Sequence, residues 1–290
     1  MNLSVIVTNY NGLPLLKKYF NDVINQSDIA DEIIFSDDNS TDQSVNFIRE
    51  LSKKNKKIKI ITHDSNVGFG QNSNYAVSKS MGDLVVLLNN DIRPHKDYIK
   101  NSLKHFSNPD VFAVGFAEKG NENWAKIYWD GGYIQHVPGS PVDKTHITAW
   151  VSGGSGIFRK SIFEKLGGFD PVYSPFYCED LDLGLRAWKS GYQLLWEPKS
   201  IVEHKHESTI SKFPRHFRDY VIERNRLLVV WRNITDQKLL NENKISKIFR
   251  ILSGPNYIKI ILAAKKQIKL NSPPIVFSKI KDIEIFKKFS

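Results

Sequence analysis

The sequence predicts an α/β domain with a mostly parallel sheet flanked by helices, followed by a basic helical appendage. Three observations carry this expectation. Strand-like apolar segments alternate with helical ones through the first 90 residues, the pattern of parallel strands joined by right-handed crossovers. Residues 84–88, Leu-Val-Val-Leu-Leu, are too short for a buried helix and are bounded by Gly82-Asp83 and Pro94, so they read as a central strand buried on both faces. With 290 residues, 41% of them hydrophobic and 25% charged, the chain is globular and can bury a large core.

The elements follow in order. Val5-Ile6-Val7 is the first strand, and Thr8-Asn9-Tyr10-Asn11-Gly12 turns it into a helix near residues 14–25. Glu32-Ile33-Ile34-Phe35 is a second strand that ends in the polar turn 36–42 before a helix at 43–53. Residues 57–62 supply a third strand, Asn66-Val67-Gly68-Phe69-Gly70 a glycine loop, residues 71–79 a helix, and 84–88 the next strand. Residues 111–160 lose helical periodicity and gain aromatics and glycine, with 151–158 strand-like around Gly153 and Gly154. No internal repeat or low-complexity segment interrupts the chain.

The central strand empties into Asn89-Asn90-Asp91. In open α/β sheets ligands bind at the carboxyl ends of the strands, where a carboxylate beside amides suits a hard divalent cation and a diphosphate. Read alone, Asp91 is better explained as a cap for the turn Ile92-Arg93-Pro94. A second cluster, Glu179-Asp180-Leu181-Asp182, opens a helix whose buried face is marked by Leu181, Leu185 and Trp188. Helix-dipole stabilisation of first-turn acids accounts for part of it. The spacing also turns at least one acid toward the cleft edge, where it would serve as a general base. Farther on, His204 and His206 lie two apart, so in an extended segment both face one side.

The single cysteine, Cys178, excludes an internal disulfide, and no basic-then-apolar leader precedes the first strand, which favours a cytoplasmic setting. Net charge is +10, but residues 244–290 hold eleven Lys and Arg against Asp282 and Glu284, so +9 of it belongs to the tail. Its cations interleave with Ile245, Ile248, Phe249 and Leu252, then Tyr257, Ile258, Ile260, Ile261 and Leu262, at helical spacing. Two readings stand side by side: amphipathic helices resting on an anionic membrane face, or helices seated on the main domain with a solvated basic side. Nucleic acid is disfavoured as a partner because no binding motif accompanies the charge.

Taken in order, residues 3–11, the turn Ser36-Asp37-Asp38-Asn39-Ser40-Thr41-Asp42, Asn66-x-Gly68-Phe69, Leu88-Asn89-Asn90-Asp91, Gly167-Gly168-Phe169-Asp170 and Glu179-Asp180-x-Asp182-Leu183 resemble family 2 glycosyltransferases of the GT-A fold, most of all bacterial rhamnosyl- and galactofuranosyl-transferase-like members that build surface polysaccharides. The resemblance covers residues 1–210 and leaves 211–290 as the basic, amphipathic helical region. It implies a Rossmann-like sheet, a UDP- or dTDP-sugar donor, a Mg or Mn cofactor, a glycan or lipid-linked acceptor, and inverting transfer; the basic tail adds an expected place at the inner face of the membrane.

Carried over residue by residue, the resemblance assigns Thr8, Asn9, Tyr10, Asp37, Asn66, Gly68, Asn74 and Asn90 to the donor, with Asp37 reading the base. Asp91 would hold the cation. Asn89 stands where the family's Asp-x-Asp pattern has its first acid, which implies a weaker cation site, and His204 matches a late histidine that ligates metal in some relatives. Asp180 matches the catalytic base. Gly154 and Ser155, in the segment over which acceptors pass, and Glu179 and Asp182 would bind or orient the acceptor. Trp150, with Trp124 or Trp129, offers a stacking surface for a sugar ring. Arg224-Asn225 sits where relatives carry an Arg-Asn pair.

Rival classes remain open to test. A catalytically inactive GT-A module would bind nucleotide or glycan without hydrolysing a donor. A nucleotidyltransferase usually opens on a glycine- and arginine-rich phosphate loop, which residues 7–11 lack. A polyprenyl-phosphate glycosyltransferase differs only in its acceptor.

Overall fold

The computed structural model describes residues 1–120, 123–205, 213–274 and 278–290. Strands β1 (Leu3–Asn9), β2 (Glu32–Asp37), β3 (Ile58–Thr62) and β4 (Leu84–Asn89) alternate with helices α1 (Leu13–Gln26), α2 (Ser44–Lys54) and α3 (Phe69–Lys79). β5 (Ile92–Pro94), α4 (Tyr98–Leu103), β6 (Val111–Glu118), a hairpin of β7 (Ala125–Asp130) and β8 (Tyr133–Pro138), the short β9 (His146–Ile147) and β10 (Ser155–Arg159) follow. Then come α5 (Lys160–Lys165), α6 (Glu179–Lys189), β11 (Gln193–His204), α7 (Arg215–Asn233), α8 (Gln237–Ser253), α9 (Tyr257–Leu270) and α10 (Asp282–Lys287).

Nine strands form one sheet in the order β3-β2-β1-β4-β10-β6-β11-β5, with β9 on β11. β3, β2, β1 and β4 pair in parallel, as do β6 and β11. β10 lies antiparallel between β4 and β6, so β4 and β6 run the same way. The carboxyl ends of β1, β2, β4, β6 and β11 therefore open on one edge, joined there by the amino end of β10. The region poor in helical pattern supplies β6 to β10. The strand expected at 151–158 starts only at Ser155, because residues 151–154 form a loop that links β4 to α6.

The apolar run of β4 is flanked by β1 and β10 and is almost fully buried. Each such side chain contributes about 1.5–3 kcal/mol on burial, which fixes the strand whose end carries Asp91. The helices beyond residue 213 share the core of the sheet. Leu227, Leu228 and Val230 of α7, Tyr257 and Ala264 of α9, and Ile285 and Phe286 of α10 join one hydrophobic cluster with Phe158 of β10 and Leu185 of α6. The hydroxyls of Tyr133 and Tyr257 meet at 2.7 Å, and buried Lys189 pairs with Asp282 at 2.8 Å. Among the described residues, no helix is long and apolar enough to cross a membrane.

Candidate active site

Residues from five strand ends meet at this edge. Where β1, β2 and β4 end, the amide of Asn90 donates to the Oδ1 of Asn9 (2.7 Å), and the Nδ2 of Asn9 donates to the Oδ1 of Asp37 (2.8 Å). The hydroxyl and backbone N–H of Ser40 complete the carboxylate of Asp37 at 2.7 and 2.8 Å. Asp38 accepts from the backbone N–H groups of Val67 and Gly68 at 2.7 and 2.9 Å, tying the glycine loop to the end of β2. Gly68 sits at φ +84°, a left-handed conformation that a side chain would strain. Thr8, Asn9, Tyr10, Asn66, Gly68 and Asn90 thus gather at one end of the cleft, with Tyr10 and Asn66 exposed in it.

Two donor assignments need correction. Asp37, expected to read the base, is buried beneath the cleft with its carboxylate committed to Asn9 and Ser40, so it scaffolds the turn. Asn74, expected in the donor pocket, spends its amide on the backbone of Phe169, donating to its carbonyl at 2.8 Å and accepting from its N–H at 2.9 Å. Asn74 therefore fastens α3 to the Gly167–Asp170 turn.

At the centre, buried Asp91 and half-buried His204 are brought together, with Asp91 Oδ1 3.1 Å from His204 Nε2. The other ring nitrogen of His204 lies 3.1 Å from Glu118 Oε1, at the end of β6. Burial opposes a charged imidazole here, but hydrogen bonds to Asp91 and Glu118 outweigh it and hold its pKa up at about 9. His206 falls outside the described residues. Glu118 was not singled out in the sequence, although residues 111–117 followed by Glu118 repeat the pattern of an apolar run ending in an acid that marked Asp91.

Asp180 lies in the first turn of α6, where its Oδ1 accepts the backbone N–H of Gly153 at 2.9 Å. Burial raises its pKa above the usual carboxylate range; the Gly153 N–H opposes this, and the charge of Glu118 adds to it. Burial, then the charge of Asp180, raises Glu179 as well. The turn before α6 is strained, with Tyr177 and Cys178 at φ 71° and 79°. Asn225 of α7 holds that turn: its amide nitrogen lies 2.8 Å from the carbonyls of Tyr173, Phe176 and Tyr177. Arg224 donates to the Ser174 carbonyl, and Asn225 Oδ1 accepts from Arg224 at 2.8 and 3.0 Å. The Arg-Asn pair is thus a clamp that holds the turn before α6 from the carboxyl-terminal region.

Gly154 accepts from the Asn89 N–H through its carbonyl at 2.9 Å, and an added Cβ there would run into the Asn89 side chain. Beside it, a cavity of about 360 Å³ is lined by Glu118, Ser152, Ser155, Trp150, Trp124 and His136, among others. Ser155, Trp150 and Trp124 thus share a hollow with Glu118, whereas Trp129 turns away to donate to Glu242 at 2.6 Å. Glu179 faces the other side, lining a small cavity with Gly68, Phe69 and Tyr173. Asp182, expected to bind acceptor, is 1% exposed and belongs to the core. It accepts from Arg186 Nε (2.7 Å), the Tyr173 hydroxyl (2.8 Å) and Asn233 Nδ2 (2.7 Å). Two residues along a helix turn a side chain about 200°, so Asp180 and Asp182 cannot both face the cleft.

Known proteins share this architecture. The model of glycosyl transferase family 2 matches residues 4–167. The chain is 26% identical over 228 residues to the O-antigen chain rhamnosyltransferase RfbN of Salmonella typhimurium, covering 75% of this chain and 71% of that one. A shorter stretch is 34% identical over 87 residues to the N-acetylglucosaminyl-diphospho-decaprenol L-rhamnosyltransferase of Mycobacterium tuberculosis, 30% of this chain and 27% of that one. The fold is similar to that of GalNAc-T7 with UDP, GalNAc and Mn2+, at a TM-score of 0.64 and 16% identity over 85% of this chain and 54% of that one. With a family match over more than half its length and a sheet of this topology, the chain belongs to glycosyltransferase family 2.

Proposed function

We propose that this glycosyltransferase moves a sugar, with inversion, from a UDP- or dTDP-sugar donor onto a glycan or lipid-linked acceptor in bacterial surface polysaccharide synthesis, working with a Mg or Mn ion. The names of the two relatives favour rhamnose as the sugar, and the diphospho-decaprenol acceptor of one favours a lipid-linked acceptor for this chain, with the enzyme at the inner membrane face. The observation that carries the reading is a continuous line of groups along the sheet edge: Asp91 contacts His204, His204 contacts Glu118, and Glu118 raises the pKa of Asp180. Cation-binding and proton-accepting chemistry are thus neighbours.

The residues fit a cation. Two ligands at right angles on an ion at about 2.1 Å stand about 3 Å apart, close to the separation of Asp91 and His204. Among the described residues, no group of three or more His, Cys, Asp or Glu has metal-holding geometry, so Asp91 and His204 would hold the ion together with the donor diphosphate. A bound divalent ion offsets the negative charge that develops on the leaving diphosphate. Asp180, held by Gly153, accepts the proton of the acceptor hydroxyl as that oxygen bonds the anomeric carbon from the face opposite the departing diphosphate. The raised pKa brings Asp180 toward the working pH, where a base is most effective. The 360 Å³ cavity lined by Glu118, Ser152 and Trp150 would admit the acceptor sugar.

Thermal-shift titration with UDP, dTDP and GDP, with and without Mn, tests the donor, because a ligand that binds only the folded chain raises its stability in proportion to affinity. Incubation of the preferred nucleotide's rhamnosyl derivative with a lipid-linked acceptor then tests transfer, and the anomeric configuration of the product tests inversion. Stabilisation by no nucleotide, or hydrolysis of no donor, would leave an inactive binding module.

A further inference from the structure

We propose that the outward face of α8 and α9 is a docking surface for an anionic lipid bilayer. The inference extends the placement proposed above, yet it stands on its own observations. α8 turns one side to the core, with Asn243 buried and the Arg250 guanidinium 4.6 Å from the ring of Tyr133. On the opposite side Ile245, Ile248, Phe249 and Leu252 form a stripe at i, i+3, i+4 and i+7, with Phe249 64% and Leu252 75% exposed. A stripe of four large apolar side chains facing outward reverses the usual orientation of an amphipathic surface helix and marks an interaction face.

α9 continues the surface. Ile258, Leu262, Lys265 and Lys269 follow one another at i, i+4, i+7 and i+11, and all are exposed. Between the two helices lies an open, mainly apolar hollow of about 960 Å³, lined by Ile245, Phe249, Tyr257 and Ile260 and bordered by the Gly131–Gly132 turn of the β7–β8 hairpin. The hairpin's second strand carries His136 to within 5.4 Å of Trp150, so the same hairpin borders both this hollow and the cavity beside Glu118.

Charge identifies the occupant. Lys244, Lys259, Lys265, Lys266 and Lys269 are exposed on the same two helices. Lys244 and Lys265 crowd Lys247, whose ammonium is destabilised first by burial and then by these two neighbours. Apolar side chains ringed by lysines match a surface of acyl chains beneath anionic headgroups, where each cation near the leaflet is worth several-fold in partitioning. A soluble protein partner or a second copy of the chain would gain from the apolar stripe but would have to neutralise the exposed Lys244, Lys259, Lys265, Lys266 and Lys269 of the two helices.

Co-sedimentation of the full chain with phosphatidylglycerol-containing vesicles and with pure phosphatidylcholine vesicles, at low and at high salt, tests the proposal without any sugar transfer. Binding is expected to the anionic vesicles, weakening as salt screens the lysines. Replacing Ile248, Phe249 and Leu252 together by Ser should lower the partition coefficient at least about tenfold, and the charge reversals Lys265→Glu and Lys269→Glu should lower it by a similar factor. Circular dichroism and the thermal shift with nucleotide should be unchanged, since all five positions are exposed. Failure of the wild-type chain to bind anionic vesicles at low salt, or binding by the triple variant equal to wild type, overturns the proposal, even if transfer to a soluble acceptor persists. A wild-type dimer that the triple variant converts to monomer without altering vesicle binding overturns it in favour of self-association.

Discussion

The two ends of the cleft treat their buried polar groups differently. At the donor end, Asn90, Asn9, Asp37 and Ser40 pass hydrogen bonds from one strand end to the next, and Asp38 closes on the backbone of the glycine loop. At the other end, Glu179 and Asp180 are set into a partly buried turn with a single backbone N–H on Asp180, and both are displaced upward in pKa. A closed network rigidifies what it contains, whereas a carboxylate left under-compensated keeps a proton affinity that chemistry can use. Asp182 makes the contrast within one helical turn: with Arg186, Tyr173 and Asn233 around it, it is scaffold, while Asp180 two residues away is the candidate base.

The contrast is broken most directly at Asp180. Asp180→Asn should lower transfer by about 10²–10⁴-fold while leaving nucleotide binding nearly intact, because the base acts on the acceptor. A radiometric transfer assay beside nucleotide calorimetry checks this; an equal loss in Glu179→Gln alone would move the role to Glu179. Asp182→Ala should instead cost stability, about 3–5 kcal/mol, because Arg186 is left buried without its partner. Calorimetry should show a melting temperature lower by roughly 10 °C. A variant that melts like wild type but loses transfer would return Asp182 to the cleft.

At the centre of the cleft, Asp91→Ala should weaken nucleoside diphosphate binding at least about tenfold in Mn and far less in chelator, with His204→Ala following in the same direction to a smaller extent. Equal losses in both conditions would contradict metal bridging. The smallest effect is the pH response. With the pKa of Asp180 raised by burial and Glu118, transfer should fall with decreasing pH along a limb that lies above the ordinary carboxylate range. Stability moves the other way. A group whose pKa is raised on folding adds stability below its unfolded pKa and loses it as pH rises through the folded one. Asp180→Asn should therefore melt above wild type at neutral pH, and the gap should close on acidification.

Much of this arrangement was legible in the sequence wherever a local pattern determined it. Asp91 could be read because an apolar run ends there, and the same signal at Glu118 lay obscured among the aromatics and glycines of residues 111–160. The alternation of strands and helices to residue 89 required only periodicity, but the antiparallel insertion of β10 between β4 and β6 depends on long-range pairing that no local spacing encodes. The roles of Asp37, Asn74 and Asp182 were misread for a related reason. Each is a polar residue in a motif whose partners, Asn9, the Phe169 backbone and Asn233, lie 28, 95 and 51 residues away. The amphipathic tail was visible, but only its packing shows that Ile248 and Leu252 face outward while Leu239 and Ala264 face the core.

In the proposed cation site, the contact of His204 with both Asp91 and Glu118 would make cation affinity a proton-coupled quantity. Hydrogen bonds to Asp91 and Glu118 favour the charged imidazole, so in that site His204 would have to surrender a proton before its Nε2 could serve as a ligand. Loading should therefore release about one proton per ion, which calorimetric titrations in buffers of different ionisation enthalpy can count. Ion occupancy then becomes steeper in pH than a pair of carboxylates would make it, so the site would tighten as its surroundings turn alkaline.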